Sequence, residues 1–591
     1  MQEDATSLIR FSGGALERAA WDRLWDTVDG EIARRALGAR RDRYRRRVEA
    51  EEAALARLGL EPGVLLELSW LVRDLRMRGV TFGPGYGPQS GSLLLHLLGL
   101  NGVDPVDHSL PFLGFGRELE ARRLHLRVAS RIEQAETVAA LRHFGSGCHS
   151  ADDARVVEVV VAADPVLAFT RELERMARAV NGGRQCDPLS WVYPWDDPET
   201  LRSMSRGETE GVHQLSDPAV REMLRQAMPR TLDEVVQVLA ACREGASPGF
   251  AKRYLEARAG TDRPPLPHPW LEEVLGPTAH LWLYREQPVA ALRQLLGCSW
   301  ERALELLQRL GLEGGEAGEG ALSRQLGEAV ANHVGLPRAR GLFLIRALRQ
   351  AASTTVDRAS MLAEATESYR QAFYKAHYPA VFQAARMNTV LAAIDPRKGL
   401  RYTADVASGV AASCPYREEV VRLCSEALRD GLTVLPPDIN RSEWGFTAVD
   451  AETIVFGLGA VANIDRNLAD RIALKRRGDP YRSFMDFCLR IFRNQMNERV
   501  IEPLIFAGAL DGLDRDRRRL RCALAEARVT PGVYRRYVAD DVSANSRRME
   551  TASPDGEGYD FQRELDVIGC VPSRVYYPSA APPGRHLRLV P

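Results

Sequence analysis

From Pro198 to about Asn388, almost every stretch of this chain places its apolar residues at the three- and four-residue spacing of a helix face. Short breaks rich in glycine and proline, such as Pro248-Gly249, divide this long run into separate helices. A strand-like pattern of β-branched residues is confined to short stretches, of which ARVVEVVVAADP at 154–165 is the clearest. We therefore predict a mainly α protein with a small β sheet, an α+β fold. A chain of 591 residues is too long for one core, so three or four subdomains are expected.

The charge and hydropathy of the chain restrict where it can act. Lysine plus arginine total 79 and aspartate plus glutamate also total 79, so no global positive field attracts nucleic acid. A nucleic-acid role must then rest on local basic surfaces, and the strip from Arg40 to Arg47 is either such a surface or a solvated helix face. The sequence has no run of about 18 apolar residues and no signal-peptide pattern. We expect a cytoplasmic protein without membrane contact.

A glycine-rich segment at 83–100, GPGYGPQSGSLLLHLLGL, precedes an apolar helix. Backbone N–H groups of such a loop, together with the helix N-terminus, can hold a phosphate group. The alternative is a tight turn that leads into a buried helix. The segment alone leaves both open.

Longer segments carry a family resemblance. The segment GLTVLPPDINRSEWGFTAVDAETIVFGLGAVANI at 431–464 resembles the signature of the alpha subunit of bacterial DNA polymerase III, a C-family polymerase. In that family Leu-Pro-Pro-Asp-Ile-Asn followed by Phe-Gly-Leu-Gly-Ala joins the fingers to a tandem helix-hairpin-helix module. Further segments resemble the same family in the same order, and together they span about residues 60 to 575; they lie at 83–107, 196–245, 268–292, 367–393 and 496–513.

The resemblance implies a polymerase palm, thumb and fingers followed by a tandem helix-hairpin-helix module. Segments resembling the family's N-terminal phosphoesterase-like domain and C-terminal OB-fold are not found. The implied regions are a helical N-terminal or thumb region at 1–80, a palm with the glycine-rich loop at 81–200, helical fingers at 201–430, the helix-hairpin-helix DNA-binding module at 431–530, and a C-terminal tail at 531–591.

Nucleotidyl transfer requires acidic side chains that hold two divalent cations. In the family these are aspartates on one face of an alternating strand. The corresponding stretch is RRLHLRVAS at 122–130, and alignment by the following helix places Arg123, His125 and Arg127 at the three aspartate positions. The resemblance therefore implies that catalytic residues and a metal site are lost, and that this face attracts phosphate instead.

Two acids in the next strand-like segment, Glu158 and Asp164, are either remnants of the family's third carboxylate or ordinary strand-edge and turn residues. Asp152 and Asp153 are most simply a turn.

The resemblance also implies a set of nucleotide-phosphate contacts. Tyr86 and Pro88 stand where the family's loop has an arginine and its first serine. A second motif, in the family's fingers, corresponds to residues 357–360, where Arg358 is the cation that remains and the other positions are Asp357, Ala359 and Ser360. The implied contacts are Gly83, Gly85, Gly87, Ser90, Gly91, Ser92 and Arg243.

The helix-hairpin-helix region is the remaining DNA-binding candidate, because such hairpins present backbone amides to phosphates without reading sequence. An asparagine can adopt the positive φ that the second hairpin needs at Asn463. A purely structural helical module is the alternative. The candidate DNA-binding residues are Gly457, Gly459, Asn463, Arg466, Lys475, Arg476 and Arg477.

Three hypotheses follow. The first is a polymerase III alpha-like protein of DNA replication or repair that has lost its chemistry, needs no cofactor, and binds primer-template or duplex DNA or scaffolds replication or translesion proteins. The second is an active, divergent, error-prone DNA polymerase that uses Mg²⁺ with Glu158, Asp164 or Asp152. The third is a protein-interaction scaffold without DNA contact.

Overall fold

The structure is a computed structural model, and its description covers ten stretches of the chain: residues 6–12, 19–35, 39–114, 122–144, 156–181, 194–243, 249–312, 320–392, 415–492 and 498–529. It divides into two compact units. Unit 1 comprises residues 1–171 and 192–373, and unit 2 comprises residues 172–191 and 374–591. The residues outside the description include Asp152 and Asp153, the glutamate-rich segment 313–319, and the C-terminal tail at 531–591.

Unit 1 contains a three-stranded sheet whose central strand is flanked by one antiparallel and one parallel neighbour. The strands are β1 (Thr6–Ser12), β2 (Arg123–Val128) and β3 (Val156–Ala163), in the order β1-β3-β2. The sequence predicted β2 and β3 but missed β1, since the region 1–80 was expected to be helical throughout. Ile9 and Phe11 alternate with exposed Leu8 and Arg10, and both are buried. β1 is therefore an amphipathic strand too short to stand out among polar neighbours.

The sheet of unit 1 buries one face against helices. Val157, Val159 and Val161 of β3 share a core with Leu124 and Leu126 of β2 and with apolar residues of the surrounding helices. The expected helical region at 1–80 contains three helices, and residues 36–38, between the first two, lie outside the described part. The helices of this region are α1 (Ala19–Arg35), α2 (Ala39–Arg57), α3 (Pro62–Met77), α4 (Leu93–Leu97), α5 (Arg131–Phe144) and α6 (Pro165–Val180), with a 3-10 turn at Gly87–Gly91 before α4.

The expected long helical region follows, and its helices begin at recognisable caps. Asp197 and Asp217 each precede a proline at the first helical position and accept backbone N–H bonds through their carboxylates. Thr231 caps the next helix in the same way. The helices are α7 (Pro198–Ser205), α8 (Pro218–Ala227), α9 (Leu232–Cys242), α10 (Phe250–Arg258), α11 (Glu272–Leu275), α12 (Glu286–Leu296), α13 (Trp300–Leu312), α14 (Ala321–Val334), α15 (Arg338–Thr354) and α16 (Arg358–His377).

Helices α14 and α15 form a hairpin with a very close crossing. A Cβ atom at Gly327 would lie 2.9 Å from Cα of Leu342, and one at Gly341 would overlap the carbonyl oxygen of Gly327. The two glycines therefore let the helix backbones approach more closely than any larger side chain permits. The hairpin packs on α12 and α13 around a second core that includes Leu292, Leu307 and Leu344.

Unit 2 combines further helices with a second small sheet of order β4-β6-β5. Phe446 and Phe456 are fully buried and meet edge to face, with ring centroids 4.7 Å apart. The elements are α17 (Pro379–Ala392), α18 (Pro415–Arg429), β4 (Thr433–Leu435), β5 (Thr447–Ala448), β6 (Thr453–Val455), α19 (Arg466–Arg476), α20 (Phe484–Phe492), α21 (Glu498–Phe506) and α22 (Arg517–Val529).

The mainly α fold with small sheets is confirmed. None of the helices within the described stretches is long and apolar enough to span a bilayer.

Candidate functional sites

The outward face of β2 carries the three residues that the sequence placed at metal positions. Along this strand Arg123, His125 and Arg127 are half-buried, whereas the residues between them are buried in the core. The predicted alternation of β2 is therefore confirmed.

The two acids considered as catalytic remnants lie on the same face and are paired with its arginines. Glu158 is the register partner of Arg123 on β3, and its carboxylate lies 3.3 Å from Nη2 of that arginine. Arg10 of β1 approaches the same carboxylate at 3.8 Å. Asp164, immediately after β3, forms a close ion pair with Arg127. Each acid is thus held by at least one guanidinium.

This arrangement does not fit a two-magnesium site. Hard cations need several carboxylate oxygens on one side, and here the two available carboxylates are each neutralised by arginine. No cluster of three or more His, Cys, Asp or Glu side chains suited to a metal ion occurs in the described part of the chain. The face of β2 was expected to be strongly cationic, and this expectation is wrong. The charges of Arg123 and Arg127 are balanced by the carboxylates of Glu158 and Asp164.

The glycine-rich loop lies directly beside this face. The backbone N–H of Gly83 donates to the carbonyl of Arg127 at 2.9 Å. The side-chain amide of Gln89 donates to the carbonyl of Arg123 at 2.6 Å and accepts from the N–H of His125 at 3.3 Å. Gln89 therefore bonds β2 in place of a neighbouring strand. Sequence reasoning missed this residue, because nothing in the loop pattern distinguishes a glutamine that pairs with a distant strand.

Two substituted positions of the resemblance meet in space. Tyr86, at the loop's arginine position, stacks on His125, with ring centroids 4.5 Å apart and an interplanar angle of 24°. Gly85 and Gly87 adopt positive φ values of 125° and 57°, so the loop keeps a conformation that favours glycine. The loop and the β2 face therefore lie together, and an aromatic stack joins the two positions at which the resemblance implies an arginine and an aspartate.

The start of α4 is occupied by an internal carboxylate. Glu51 of α2 is fully buried and accepts hydrogen bonds from the Ser92 hydroxyl at 2.7 Å and from the N–H groups of Leu93 and Leu94 at 2.9 Å. Arg47 donates to the same carboxylate at 2.6 Å. Ser92 and these two amides are consequently engaged within the protein.

The loop's other two positions contribute packing. Ser90 is fully buried, and Gly91 packs against Ala359, whose Cβ would lie 3.1 Å from a Cβ at the glycine.

The basic strip of α2 is mostly exposed, with Arg41, Arg43 and Arg46 at the surface, but the side chain of Arg47 is only 13% exposed. Arg47 also donates to the carbonyl oxygens of Leu110 and Gly91. Arg40 pairs with Asp107, and Arg45 with Asp29. The interpretation of this strip as a solvated face is therefore wrong for Arg47, whose backbone partners come from distant segments that the local sequence does not reveal. Arg40 and Arg45 are ion-paired at the surface and remain partly exposed.

Arg243, the arginine assigned to the nucleotide region, caps helices. Its guanidinium donates to the carbonyl oxygens of Ala240 and Thr354. Burial lowers the pKa of Arg243, and its guanidinium lies 5.8 Å from the centre of the Phe250 ring. Arg358 bonds Asp233 at 3.0 Å. Both arginines of the helical region thus join helix ends.

In unit 2, the second hairpin has the predicted backbone. Asn463 has φ of 62°, which confirms that an asparagine supplies the left-handed conformation there. Its side chain donates to the carbonyl of Arg499 at 3.1 Å, and Asp465 caps α19 by accepting from the N–H of Leu468 at 2.7 Å. The helix start is therefore capped locally, whereas the turn is also tied to the start of α21.

The glycines of the hairpin entry serve close packing. A Cβ at Gly457 would lie 2.6 Å from the backbone of Gly445, and one at Gly459 would lie 2.7 Å from the Trp444 ring. The N–H of Gly459 donates to the Trp444 carbonyl at 2.8 Å. This amide is therefore not presented outward.

Of the basic residues in this module, Arg476 is internal and its neighbours are exposed. Its guanidinium donates to the carbonyl oxygens of Ile439, Ser442 and Arg441 at 2.6–2.9 Å and pairs with Glu443. Lys475 and Arg477 are exposed. Arg466, at the start of α19, is exposed and lies 3.5 Å from Asp470. Arg471 is a further exposed cation on this helix that the sequence reasoning did not select.

Three protein-family models match separate segments of the chain. The bacterial DNA polymerase III alpha NTPase domain matches residues 22–122, the bacterial DNA polymerase III alpha subunit finger domain matches 171–320, and a helix-hairpin-helix motif matches 431–520. These matches relate three separate parts of the chain to the proteins of bacterial DNA replication that the models describe.

Two of these three models describe the bacterial DNA polymerase III alpha subunit, so the chain is similar to that family in the matched segments. DNA polymerase III subunit alpha of Vibrio cholerae is 29% identical over 343 residues, that of Thermus aquaticus 31% over 337 residues, and that of Escherichia coli K12 28% over 369 residues. These alignments cover 56–61% of this chain and 25–30% of the relatives. The chain therefore spans less than a third of the length of the relatives it matches. The three matched segments leave residues 123–170 uncovered, and this interval contains β2 and β3.

Proposed function

We propose that this chain is a DNA-binding member of the polymerase III alpha family that does not carry out two-metal nucleotidyl transfer. The observation that supports the loss of two-metal chemistry is the pairing of Glu158 with Arg123 and of Asp164 with Arg127 on the face of β2 and β3. Two carboxylates already neutralised by guanidinium groups are poor ligands for Mg²⁺. The positions to which the resemblance assigns these ligands, Arg123, His125 and Arg127, lie in the interval between the two matched polymerase segments.

Primer extension by the full chain tests the loss of chemistry. With Mg²⁺ or Mn²⁺, a labelled primed template and all four nucleotides, no incorporation is expected. Incorporation that persists through purification and is abolished in E158Q/D164N would overturn this proposal and establish the active, divergent polymerase. A background polymerase is recognised because both versions of the chain then give the same signal.

The DNA-binding part of the proposal rests on unit 2. The helix-hairpin-helix motif match covers α19 and its preceding turn, and Lys475 and Arg477 are exposed beside it. Arg466 and Arg471 add two exposed cations on the same helix. Because hairpins of this kind contact the phosphate backbone, the expected ligand is duplex or primed DNA bound without sequence preference.

Salt-dependent binding to a labelled duplex tests this surface. For B-DNA each lost phosphate contact reduces the slope of log K against log salt by about 0.9, so K475E/R477E should reduce it by about 1.8. The matched control R230E/R253E changes the net charge equally, and both of its arginines are exposed. The control should leave the slope unchanged. Equal changes of the salt slope in the two variants would contradict the placement of the DNA surface at Lys475 and Arg477. If the wild-type chain shows no salt-dependent binding, the scaffold without DNA contact is favoured.

A further inference from the structure

Unit 1 contains an open cleft of about 680 Å³. It is bounded by α2, by the segment 105–111, by the helices α9, α11 and α12, and by the first residues of α13 and α16. The loop residues 83–92 and the residues of β2, all of which are described, do not line it. Clefts of about 300–1,000 Å³ hold small organic molecules, so this cleft is large enough for such a ligand.

One part of the lining can cover a planar ring. Val106, Val274 and Ala290 are half-buried apolar residues of the cleft. The indole of Trp300 also lines the cleft and is half-buried. The guanidinium group of Arg293 lies over this indole, 5.1 Å from the ring centre. Because aromatic rings stack on indoles and on guanidinium planes, this wall suits a flat apolar group.

Another part of the lining is cationic. Arg43 of α2 and Arg293 of α12 line the cleft and are exposed, and neither makes an ion pair with a described acid. Arg47 and Arg358 line it as well, but Glu51 and an aspartate hold them. A guanidinium group can bond a phosphate or a carboxylate through two N–H groups. The cleft thus presents two cations that are suited to an anionic group.

Three acidic residues of the described chain line the cleft, and each has another partner. Asp233 pairs with Arg358 at 3.0 Å, and Glu273 accepts from the side-chain amide of Gln294 at 3.1 Å. Glu286 is buried and accepts from the backbone N–H of Arg358 at 2.9 Å. Burial raises the pKa of Glu286 to about 8, so this carboxyl is uncharged at neutral pH. The three acids therefore do not offset the two exposed arginines.

We propose that this cleft binds a small molecule in which a planar aromatic ring carries an anionic group, either a phosphate or a carboxylate. The ring lies against Trp300 and the apolar residues, and the anionic group bonds Arg43 and Arg293. Cations alone would suit any anion and an apolar wall alone would suit any ring, so the combination selects a ligand that has both. This binding is independent of the DNA surface proposed for unit 2, because the cleft lies entirely in unit 1.

Isothermal titration calorimetry with the full chain tests the chemical class of the ligand. Deoxyadenosine monophosphate and naphthoate combine a ring with an anionic group. Deoxyadenosine and naphthamide keep the ring without the charge, and deoxyribose phosphate keeps the charge without the ring. At least one of the two combined compounds should bind, at least about tenfold more tightly than its separate parts. The tighter of the two shows whether the cleft prefers a phosphate or a carboxylate.

Two variants test the location of the site. R43E/R293E should weaken binding of the preferred compound at least about tenfold, because it reverses both cations. R230E/R253E makes the same charge change at exposed positions of unit 1 outside the cleft, so it should bind like the wild type. A290F should abolish binding without any change of charge, because the larger side chain fills the cleft.

Three results would overturn the proposal. The first is that neither combined compound binds, and the second is that a separate part binds as tightly as the combined compound. The third is undiminished binding in A290F or an equal loss in R230E/R253E. Circular dichroism and the melting temperature establish that each variant is folded, and R43Q/R293Q replaces the charge reversal if that variant is not.

Discussion

Lys475, Arg476 and Arg477 are adjacent in sequence and differ completely in environment. The side chain of Arg476 is only 10% exposed and ties the end of α19 to the segment that contains Ile439 and Ser442. Its neighbours on either side point to solvent. A run of basic residues therefore contains one structural and two surface cations.

Replacement of Arg476 by alanine should destabilise unit 2. The carbonyl oxygens that its guanidinium satisfies would lose their donor, which costs about 1–3 kcal/mol for a buried group. Urea unfolding followed by circular dichroism should show this loss for R476A, whereas R477A should stay within about 0.5 kcal/mol of the wild type. Similar effects of the two substitutions would show that Arg476 is not structural.

Glu286, at the start of α12, is a buried carboxyl with an incomplete set of partners. One of its oxygens accepts from the N–H of Arg358 at 2.9 Å, and the other has no hydrogen-bond partner within the described residues. Burial raises its pKa to about 8, and the nearby carboxylate of Asp357 contributes in the same direction. The carboxyl is thus held protonated in the folded protein at neutral pH.

The stability of unit 1 should consequently depend on pH through this residue. Because the pKa is about 8 when folded and 4.5 in the reference state, the folded chain binds one more proton between these values. Below pH 4.5 Glu286 contributes its whole stabilisation to the free energy of unfolding. This contribution falls by about 1.4 kcal/mol per pH unit as the pH rises from 4.5 towards 8. Denaturant unfolding at several pH values should show this slope in the wild type and its loss in E286Q. Parallel curves for the two proteins would contradict the assignment.

At the scale of elements, the sequence predicted the face of β2 but not its electrostatics. Alternation along one strand is a local pattern, so the assignment of Arg123, His125 and Arg127 to one face followed directly. The ion pairs depend on the register between β2 and β3, which no local spacing determines. The positive φ of Asn463 was predictable for the same reason, because it depends on a local backbone preference. The role of Gln89 was not predictable, because its hydrogen-bond partner lies on the distant strand β2.

Thermal melting with Mn²⁺ tests this face directly. The wild-type melting temperature should not respond to Mn²⁺, because both acids are paired with arginine. In R123D/H125D/R127D the carboxylates gather on one face, so saturating Mn²⁺ should stabilise the variant by about 2–3 kcal/mol. The asparagine version of the same triple substitution is the matched control, since it removes the same cations without adding ligands. A Mn²⁺-dependent rise in the wild type would show that the face retains metal ligands.

The crossing of α14 and α15 gives a second prediction for an element. G341A should destabilise unit 1 by several kcal/mol, because the added methyl group overlaps the backbone of α14 and the helices must move apart. Gly311 lies in helix α13 with open space at its Cβ position, so G311A should instead be neutral or stabilising by up to about 1 kcal/mol. Unfolding by denaturant compares the two. Equal stability of both variants would contradict the close crossing.

At the scale of the whole molecule, the order of the residues predicted the family, whereas the overall composition did not. A net charge of zero gave no indication of a nucleic-acid ligand. Long motif segments nevertheless indicated the polymerase family whose models match the chain. β1 escaped prediction because its partner strand lies about 150 residues away in the chain. A net charge summed over the whole chain likewise hides a local surface such as the exposed cations of α19, because acids elsewhere in the chain balance them.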